Sequence, residues 1–521
     1  MDKARSRELR RELFFHLDGL AMCGIVPVLE SEGVLERIFA SGADVDELSS
    51  EYRANPGYLN VALRMLCSQG LLEAVRSEDK VHYRPALGSV PTTWYQYSKA
   101  YTSARKWLEE IVGFWNSPNE ELASSSIIAM DVLIDAWDDM PQNNEITSRI
   151  KSHLAGALVS PWLVTLGTLH GTKPISSWED HDSAVKRLHI TKQEAWGKVL
   201  QKLGWDRTEE GEFFLKRSAA YGVTTSYTKT FVWAKELIFG DGGYLWRIEP
   251  GESEIHVDRT LNVWGSGGAH KAYFSHLDEV IKEIFNAPIE TQPKGICDMG
   301  CGNGALLLHL MDVVKNDTIR GECLDSHPLI LVGADFNIEA LIATSSHFKQ
   351  EGVDGHFIWG DIGDPDRLAL DLWDHHNVKL GDLLSVRSFL DHNRIFNRPK
   401  VAREGNAIST GAFAFRGERL RLRDVEQSLK EHFEKWLPYV SQYGLLLVEL
   451  HTIDPEDASN LQGGMPATAY DATHGFADQY IVEIPVFDAM AKEAGLVVDH
   501  ANSRTFPSQL PATVSIRFFR A

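Results

Sequence analysis

An α/β fold, with a mostly parallel sheet whose strands alternate with helices and a long helical region ahead of it, is predicted by three features of the sequence. The first is the stretch Gly295-Ile296-Cys297-Asp298-Met299-Gly300-Cys301-Gly302-Asn303-Gly304-Ala305-Leu306-Leu307-Leu308, an apolar run ending in Asp, three glycines at alternating positions and a Leu-rich pattern. That order reads as strand, tight turn and helix. The second is a series of short apolar runs downstream, several closed by an acid or a histidine. The third is helical periodicity before residue 270, a region holding eleven of the fourteen tryptophans.

A chain of 521 residues is too long for one compact core. Three segments are expected: a winged-helix-like one over 1–90, a helical one over 91–260 and the α/β core over 261–521. The net charge of −21 argues against an extended nucleic-acid or anionic-membrane surface. Neither nucleic acid nor membrane is expected as a partner. The five cysteines, Cys23, Cys67, Cys297, Cys301 and Cys323, form no CxxC pair and are odd in number, which predicts reduced thiols in a cytoplasmic setting. The longest apolar stretch near the start, Gly19 to Leu29, falls short of the roughly 20 residues of a membrane span. Its Asp-interrupted flanks also fail a signal-peptide pattern, so a soluble protein is expected.

Within 1–90, Ala43-Asp44-Val45-Asp46-Glu47-Leu48 reads as a capped helix start, and Asn55-Pro56-Gly57 opens a second helix ending at Gly70. Leu71 to Val75 and Val81 to Arg84 are two strand-like runs around a polar turn. Helices followed by a two-stranded wing make a winged-helix pattern, but the second helix offers only Arg64 as a cation, which argues against DNA reading. Over 91–260 the aromatic-rich helices read as core packing and as a lid that excludes water from a site. Asn262 to His270 is a second glycine cluster, expected as a close-approach turn leading into a helix over Tyr273 to Phe285. It lacks the Gly-Lys-Ser/Thr ending of a triphosphate-binding loop.

The glycines after Asp298 let the backbone take positive φ and bring amides close to a ligand, while the next helix presents its positive dipole end. Downstream, Pro328 to Phe336 is a strand ending in Asp335, an acid placed to accept bonds from ribose hydroxyls. Lys315 to Ser326 reads as an inserted polar loop that lengthens the interval between the two acids. His356 to Gly360 leads to Asp361-Ile362; Asp382 to Ser388, Tyr443 to Leu450, Gly495 to Asp499 and Thr513 to Phe519 complete seven strands. Ligands gather at the carboxyl ends of such strands.

The spacing Asp298-x-Gly300-x-Gly302-x-Gly304 resembles motif I of class I S-adenosylmethionine-dependent methyltransferases. The resemblance implies a Rossmann-like seven-stranded core with S-adenosylmethionine as cofactor. It also implies Asp298 near the methionine part, Asp361 and Ile362 at adenine, and Gly300, Gly302, Asn303, Gly304, Asp335 and Phe336 as further cofactor-binding residues. The winged-helix pattern resembles the N-terminal domain of small-molecule O-methyltransferases, where it serves packing and dimerisation.

Strand four ends in Arg387-Ser388-Phe389-Leu390-Asp391-His392-Asn393-Arg394 and strand five in His451-Thr452, with Ala467 to Tyr480 soon after. Histidines, carboxylates and an amide are thereby expected at one rim, as metal ligands or as acid and base. These segments resemble the metal-dependent first methyltransferase domain of polyketide synthase loading modules of the apratoxin and saxitoxin type. That resemblance implies methylation of the α-carbon of a malonyl or methylmalonyl group on an acyl carrier protein, coupled in some relatives to decarboxylation by an acetyltransferase-like neighbour. It implies a divalent metal, iron or manganese, with His451, Gln479 and His474 as ligands. His392 is a candidate base, and Arg387 or Arg394 could hold the substrate carboxylate. The metal would stabilise an enolate as charge develops. Two alternatives stand beside this reading: a metal-free O-methyltransferase of a small natural product with His392 or His451 as base, and a scaffold that binds the cofactor only structurally.

Overall fold

The computed structural model describes residues 1–77, 80–171, 173–247, 254–509 and 511–521. The chain divides into two compact units. One comprises Met1–Ala269, Ala412–Leu420 and Asp454–Asp478; the other comprises His270–Gly411, Arg421–Ile453 and Gln479–Ala521.

The first unit starts with α1 (Lys3–Ser31), capped by Asp2, whose side chain accepts from the Arg5 N–H. Its residues from His16 to Leu29 are all buried. By length and apolarity alone this helix could cross a membrane, but 83% of its most apolar stretch is buried inside the fold. A helix apolar all round is one covered on every side. The helix Glu145–His170 covers it at very close range: a Cβ on Gly19 would lie 2.4 Å from the Cα of His153, and one on Gly156 2.5 Å from the Cα of His16.

Next come α2 (Val34–Ser41), β1 (Ala43–Asp44), α3 (Val45–Tyr52), α4 (Pro56–Ser68), β2 (Leu72–Ser77) and β3 (Lys80–Pro85). The strands form an antiparallel sheet in the order β1-β3-β2, a winged-helix arrangement. The starts of α3 and α4 follow from local chemistry: a capping box between Asp44 and Glu47, and Pro56 in the first turn. Beyond the wing the first unit is helical, and the tryptophans are core. Trp162 stacks with Trp107 at 6.4 Å and with Trp196 at 5.8 Å between ring centroids. The glycine cluster Asn262 to His270 lies within one helix, Arg259–Phe274, and not in a turn. Its glycine has a packing reason, since a Cβ on Gly222 would lie 2.5 Å from the Cα of Gly265.

The second unit carries β4 (Gly295–Met299), β5 (Ile330–Asp335), β6 (His356–Trp359) and β7 (Leu383–Ser388). The chain returns to the first unit for the small hairpin of β8 (Ala414–Phe415) and β9 (Glu418–Arg419). It then supplies β10 (Leu445–Leu450), β11 (Val497–Val498), β12 (Arg504–Phe506) and β13 (Val514–Arg520) to the second. The large sheet runs β11-β13-β10-β7-β4-β5-β6, parallel from β10 to β6 and antiparallel at β13, with β12 added beside β13 as an eighth strand. The helix after the glycine turn, Ala305–Asp317, extends into the segment expected to be an inserted loop.

Register places the chemistry. Asp298 pairs with Gly333, Asp335 with Trp359 and Val448 with Ser388, so the acid-bearing carboxyl ends of β4, β5, β7 and β10 lie along one edge of the sheet.

Candidate active site

At the end of β4 the chain turns through Gly300, Gly302 and Gly304, at φ of 78°, 57° and 77°. The Gly300 and Cys301 amides both donate to the Ala334 carbonyl, which ties the turn to the end of β5. A Cβ on Gly300 would lie 2.8 Å from Leu390 Cδ2 and one on Gly304 2.8 Å from Thr344 Cγ2, whereas one on Gly302 would meet nothing within 4 Å. The turn is therefore packed beneath and open above Gly302, where a ligand can approach the backbone. Asn303 is exposed, and its Oδ1 accepts from the Ala305 N–H at 3.2 Å.

Asp298 is buried, and among the described residues its Oδ1 has no hydrogen-bond partner. Burial, with the nearby charge of Asp335, pushes its carboxyl well above the usual range. Asp335 accepts from the Gly302 N–H at 3.0 Å with Oδ2 and from the Asn337 N–H at 2.9 Å with Oδ1. Phe336 is 59% exposed, 5.5 Å from the Trp359 ring, whose Nε1 donates to the Phe336 carbonyl. Asp361 accepts from the Gly363 N–H at 2.7 Å, and the carbonyl of buried Ile362 accepts from Trp436 Nε1 at 2.8 Å. These residues fit S-adenosylmethionine. A buried, unsatisfied carboxylate oxygen suits an ammonium, an acid at the second strand end suits ribose hydroxyls, and an apolar shelf suits a purine.

A second cluster stands at the ends of β7 and β10. Phe389, at φ 53°, turns the chain back so that a short turn at Asp391–Asn393 covers the end of β10. There His392 Nδ1 lies 2.5 Å from Glu449 Oε1, and Glu449 Oε2 accepts from the backbone N–H groups of Asp391 at 2.7 Å and His392 at 3.3 Å. Both side chains are buried. The carboxylate orients the imidazole with Nδ1 as donor.

Beneath this pair, Arg387 Nη1 donates to Asp391 Oδ1 at 2.8 Å, and His432 Nε2 lies 3.0 Å from the same oxygen. Arg387 stands 4.4 Å over the Trp436 ring. Against the desolvation that burial imposes, the Arg387 charge and the His432 bond hold Asp391 at about 2. Burial pulls His432 down to about 4 and Arg394 down to about 10. Arg394 donates through Nη1 to the Asp391 carbonyl, and among the described residues its Nε and Nη2, like those of Arg387, are buried without hydrogen-bond partners.

Of the residues named as metal ligands, His451 is taken up by other partners. His451 is buried; its Nδ1 faces the Val482 carbonyl at 3.0 Å and its Nε2 the Ser515 hydroxyl at 2.8 Å. Both ring nitrogens are thus committed to the protein, and burial holds the ring neutral, down to about 3. The same commitments occupy His451 as a base. His474 Nδ1 lies 2.8 Å from the Tyr470 carbonyl, in a helix of the other unit, Ala467–Gly475. Gln479 precedes Tyr480, whose N–H donates to the His392 carbonyl at 2.8 Å, so the amide stands beside the base turn. Among the described residues, no three His, Cys, Asp or Glu side chains could hold a metal. His451, with both ring nitrogens paired within the fold, does not fit the implied metal, and no step is drawn through one.

Asp391 lay in a segment expected at the rim, but Glu449, His432 and Trp436 escaped sequence reasoning. Only Glu449 left a signal: an acid near the end of the otherwise apolar run Leu445 to Leu450 must be buried with a partner. His451, two residues on, drew the attention instead.

Among solved structures, the fold is similar to an O-methyltransferase family 2 protein from Planctomyces limnophilus, with 11% identity, 98% of this chain and 95% of that one covered, and a TM-score of 0.39. It is also similar to the citrinin polyketide synthase CMeT domain, with 12% identity, 77% and 99% covered, and a TM-score of 0.34. The DszA carbon methyltransferase follows with 11% identity, 84% and 94% covered, and a TM-score of 0.34. These likenesses are remote and carry no weight for the chemistry. No curated protein matches the chain. Family models do match. The AprA N-terminal domain matches residues 9–74, and the AprA winged helix domain matches 155–241, downstream of the helix-and-wing arrangement at 34–85. The AprA MT2-like domain, described as MT2-like where the sequence resemblance was to a first methyltransferase domain, matches residues 254–517. That match covers more than half of the chain, which therefore belongs to the AprA MT2-like family and is an S-adenosylmethionine-dependent methyltransferase.

Proposed function

We propose that this enzyme methylates the α-carbon of a malonyl or methylmalonyl group carried as a thioester on an acyl carrier protein, in polyketide starter-unit synthesis. The observation that carries the proposal is the buried His392–Glu449 pair, 2.5 Å apart at the ends of adjacent parallel strands. Carbon acids of this kind need a positioned base of moderate strength. His392 takes the α-proton on Nε2, and Glu449 stabilises the imidazolium through Nδ1–H. The unsatisfied donors of Arg387 and Arg394 favour an acceptor bearing a carboxylate. S-adenosylmethionine, when bound, supplies an electrophilic methyl group on its sulfonium. With the cofactor bound, the acceptor carbon would take that methyl as the methyl–sulfonium bond breaks, with S-adenosylhomocysteine as the leaving group.

Asp298 is assigned to the cofactor's ammonium, Asp335 to the ribose hydroxyls, and Asp361, Ile362 and Phe336 to the adenine, with Gly302 giving the backbone room. The iron or manganese site expected from the resemblance has no support in the side chains around His451, so the base carries proton removal in this reading.

The test is the intact mass of malonyl- and methylmalonyl-carrier protein after incubation with enzyme and cofactor. A gain of one or two methyl groups, with or without loss of carbon dioxide, supports the reading, and the carbon dioxide readout reports on coupling to a decarboxylase. No gain on either acyl group would overturn it. O-methylation of a small natural product is the second reading, favoured by the same histidine base and by the winged-helix arrangement at 34–85. Methyl transfer to a phenolic hydroxyl, with none to carrier-bound acyl groups, would establish it.

A further inference from the structure

The helix Leu422–Val440 presents His432, Lys435, Trp436 and Tyr439 at helical spacing, all on one face. Two of these residues reach the cofactor end of the sheet besides Trp436. Lys435 Nζ donates to the Gly363 carbonyl at 2.9 Å, and the Tyr439 hydroxyl donates to Asp366 at 2.6 Å. His432 reaches the other way, to Asp391. Trp436 does both. Its Nε1 donates to the Ile362 carbonyl at 2.8 Å, and its ring lies under the Arg387 guanidinium at 4.4 Å. From Arg387 the contacts run to Asp391, from the Asp391 N–H to Glu449, and from Glu449 to His392. Trp436 is fully buried, so neither contact has a water substitute.

We infer that Trp436 is a positioning residue that couples the loop carrying Asp361 and Ile362 to the His392–Glu449 base, so that one side chain sets both cofactor affinity and the pH response of methyl transfer. The inference rests on the adenine assignment of Asp361 and Ile362 and on His392 as base; it does not depend on which acceptor is methylated. The two contacts are chemically separable. The indole N–H serves the loop, whereas the aromatic face serves Arg387, where the charge is held by the ring's electron density. Phenylalanine keeps the face and loses the donor. Leucine loses both.

The experiment measures S-adenosylmethionine Kd by calorimetry and the pH midpoint of single-turnover methyl transfer, in Trp436→Phe, Trp436→Leu and Asp361→Ala of the full chain. Trp436→Phe is expected to raise Kd about tenfold, because the Ile362 carbonyl is left buried and unsatisfied, with the pH midpoint of the wild type. Trp436→Leu is expected to raise Kd similarly and also to lower the pH midpoint, because a base whose carboxylate partner loosens is protonated less readily. A merely structural tryptophan would lower the melting temperature and the active fraction in both variants while leaving Kd and the midpoint of the active fraction unmoved; that result would overturn the coupling. Asp361→Ala separates the premise from the inference. If it leaves Kd unchanged, the adenine assignment fails and the coupling fails with it. If it weakens binding and Trp436→Phe does not, the assignment stands and the coupling alone is overturned.

Discussion

Both carboxylate oxygens of Glu449 are turned onto His392: Oε1 meets the imidazole Nδ1 at 2.5 Å, and Oε2 accepts the backbone N–H of the same residue at 3.3 Å. One acid thereby sets the ring's tautomer and also the position of the turn that carries it. A base built this way should depend on its partner nearly as much as on itself.

Glu449→Gln keeps the size of the side chain and removes the charge that stabilises the imidazolium. The single-turnover rate is expected to fall by about 10²- to 10⁴-fold, the range for losing general base catalysis, with cofactor Kd within about twofold of wild type. Rapid-quench methyl transfer and calorimetry on the same preparation check it. A rate within threefold of wild type would remove the pair from the chemistry.

Cofactor binding should be proton-linked through Asp298. Burial holds its carboxyl well above the usual range, which favours the protonated form in the free protein. A bound ammonium favours the carboxylate, so binding releases that proton and affinity rises with pH until the free-state value is passed. Calorimetry in two buffers of different ionisation enthalpy measures the release, and Asp298→Asn should abolish it while weakening binding.

In the first unit, Asp18 is buried between the Ala469 N–H at 2.9 Å and Gln69 Nε2 at 3.3 Å, and burial raises it from 3.8 to about 8. Between those values the folded chain holds a proton that the unfolded chain has lost. The contribution of Asp18 to stability therefore falls as pH rises through that window, by at most about 1.4 kcal/mol per pH unit. Asp18→Asn should remove this slope, so that its stability relative to wild type improves steadily from pH 5 to pH 8 in urea titrations. A constant difference across that range would contradict a protonated Asp18.

The commitments of His451 predict how the protein treats metals. Enzyme exchanged into chelator should keep its single-turnover rate within about twofold. His451→Asn should lower the melting temperature, because the Ser515 hydroxyl and Val482 carbonyl lose a buried partner worth about 1 to 3 kcal/mol. Loss of activity in chelator, restored by iron or manganese alone, would return the chemistry to a metal.

Much of the second unit was legible in order along the chain. Strand, glycine turn and helix at 295–308 follow from backbone rules acting within a few residues, and the acids at Asp298, Asp335 and Asp361 mark strand ends by the same local logic. The glycine cluster at 262–270 shows the limit of that logic. Glycine permits a turn and equally permits close helix packing, and the approach of Gly222 to Gly265 decided for packing. In α1, helical periodicity is local, but what covers the apolar face of the 29-residue helix comes from elsewhere in its unit.

The sequence by itself determined the methyl-donor cradle, because positive φ, helix dipoles and strand-end acids are written in spacings of two to four residues. Tertiary structure alone decided which buried polar groups are paired with one another. Glu449 meets His392 across 57 residues and Trp436 meets Ile362 across 74, while His451 is spent on Val482 and Ser515. The physical reason is that a buried polar group must find its partner wherever sheet register and packing place one, and no local pattern records that choice.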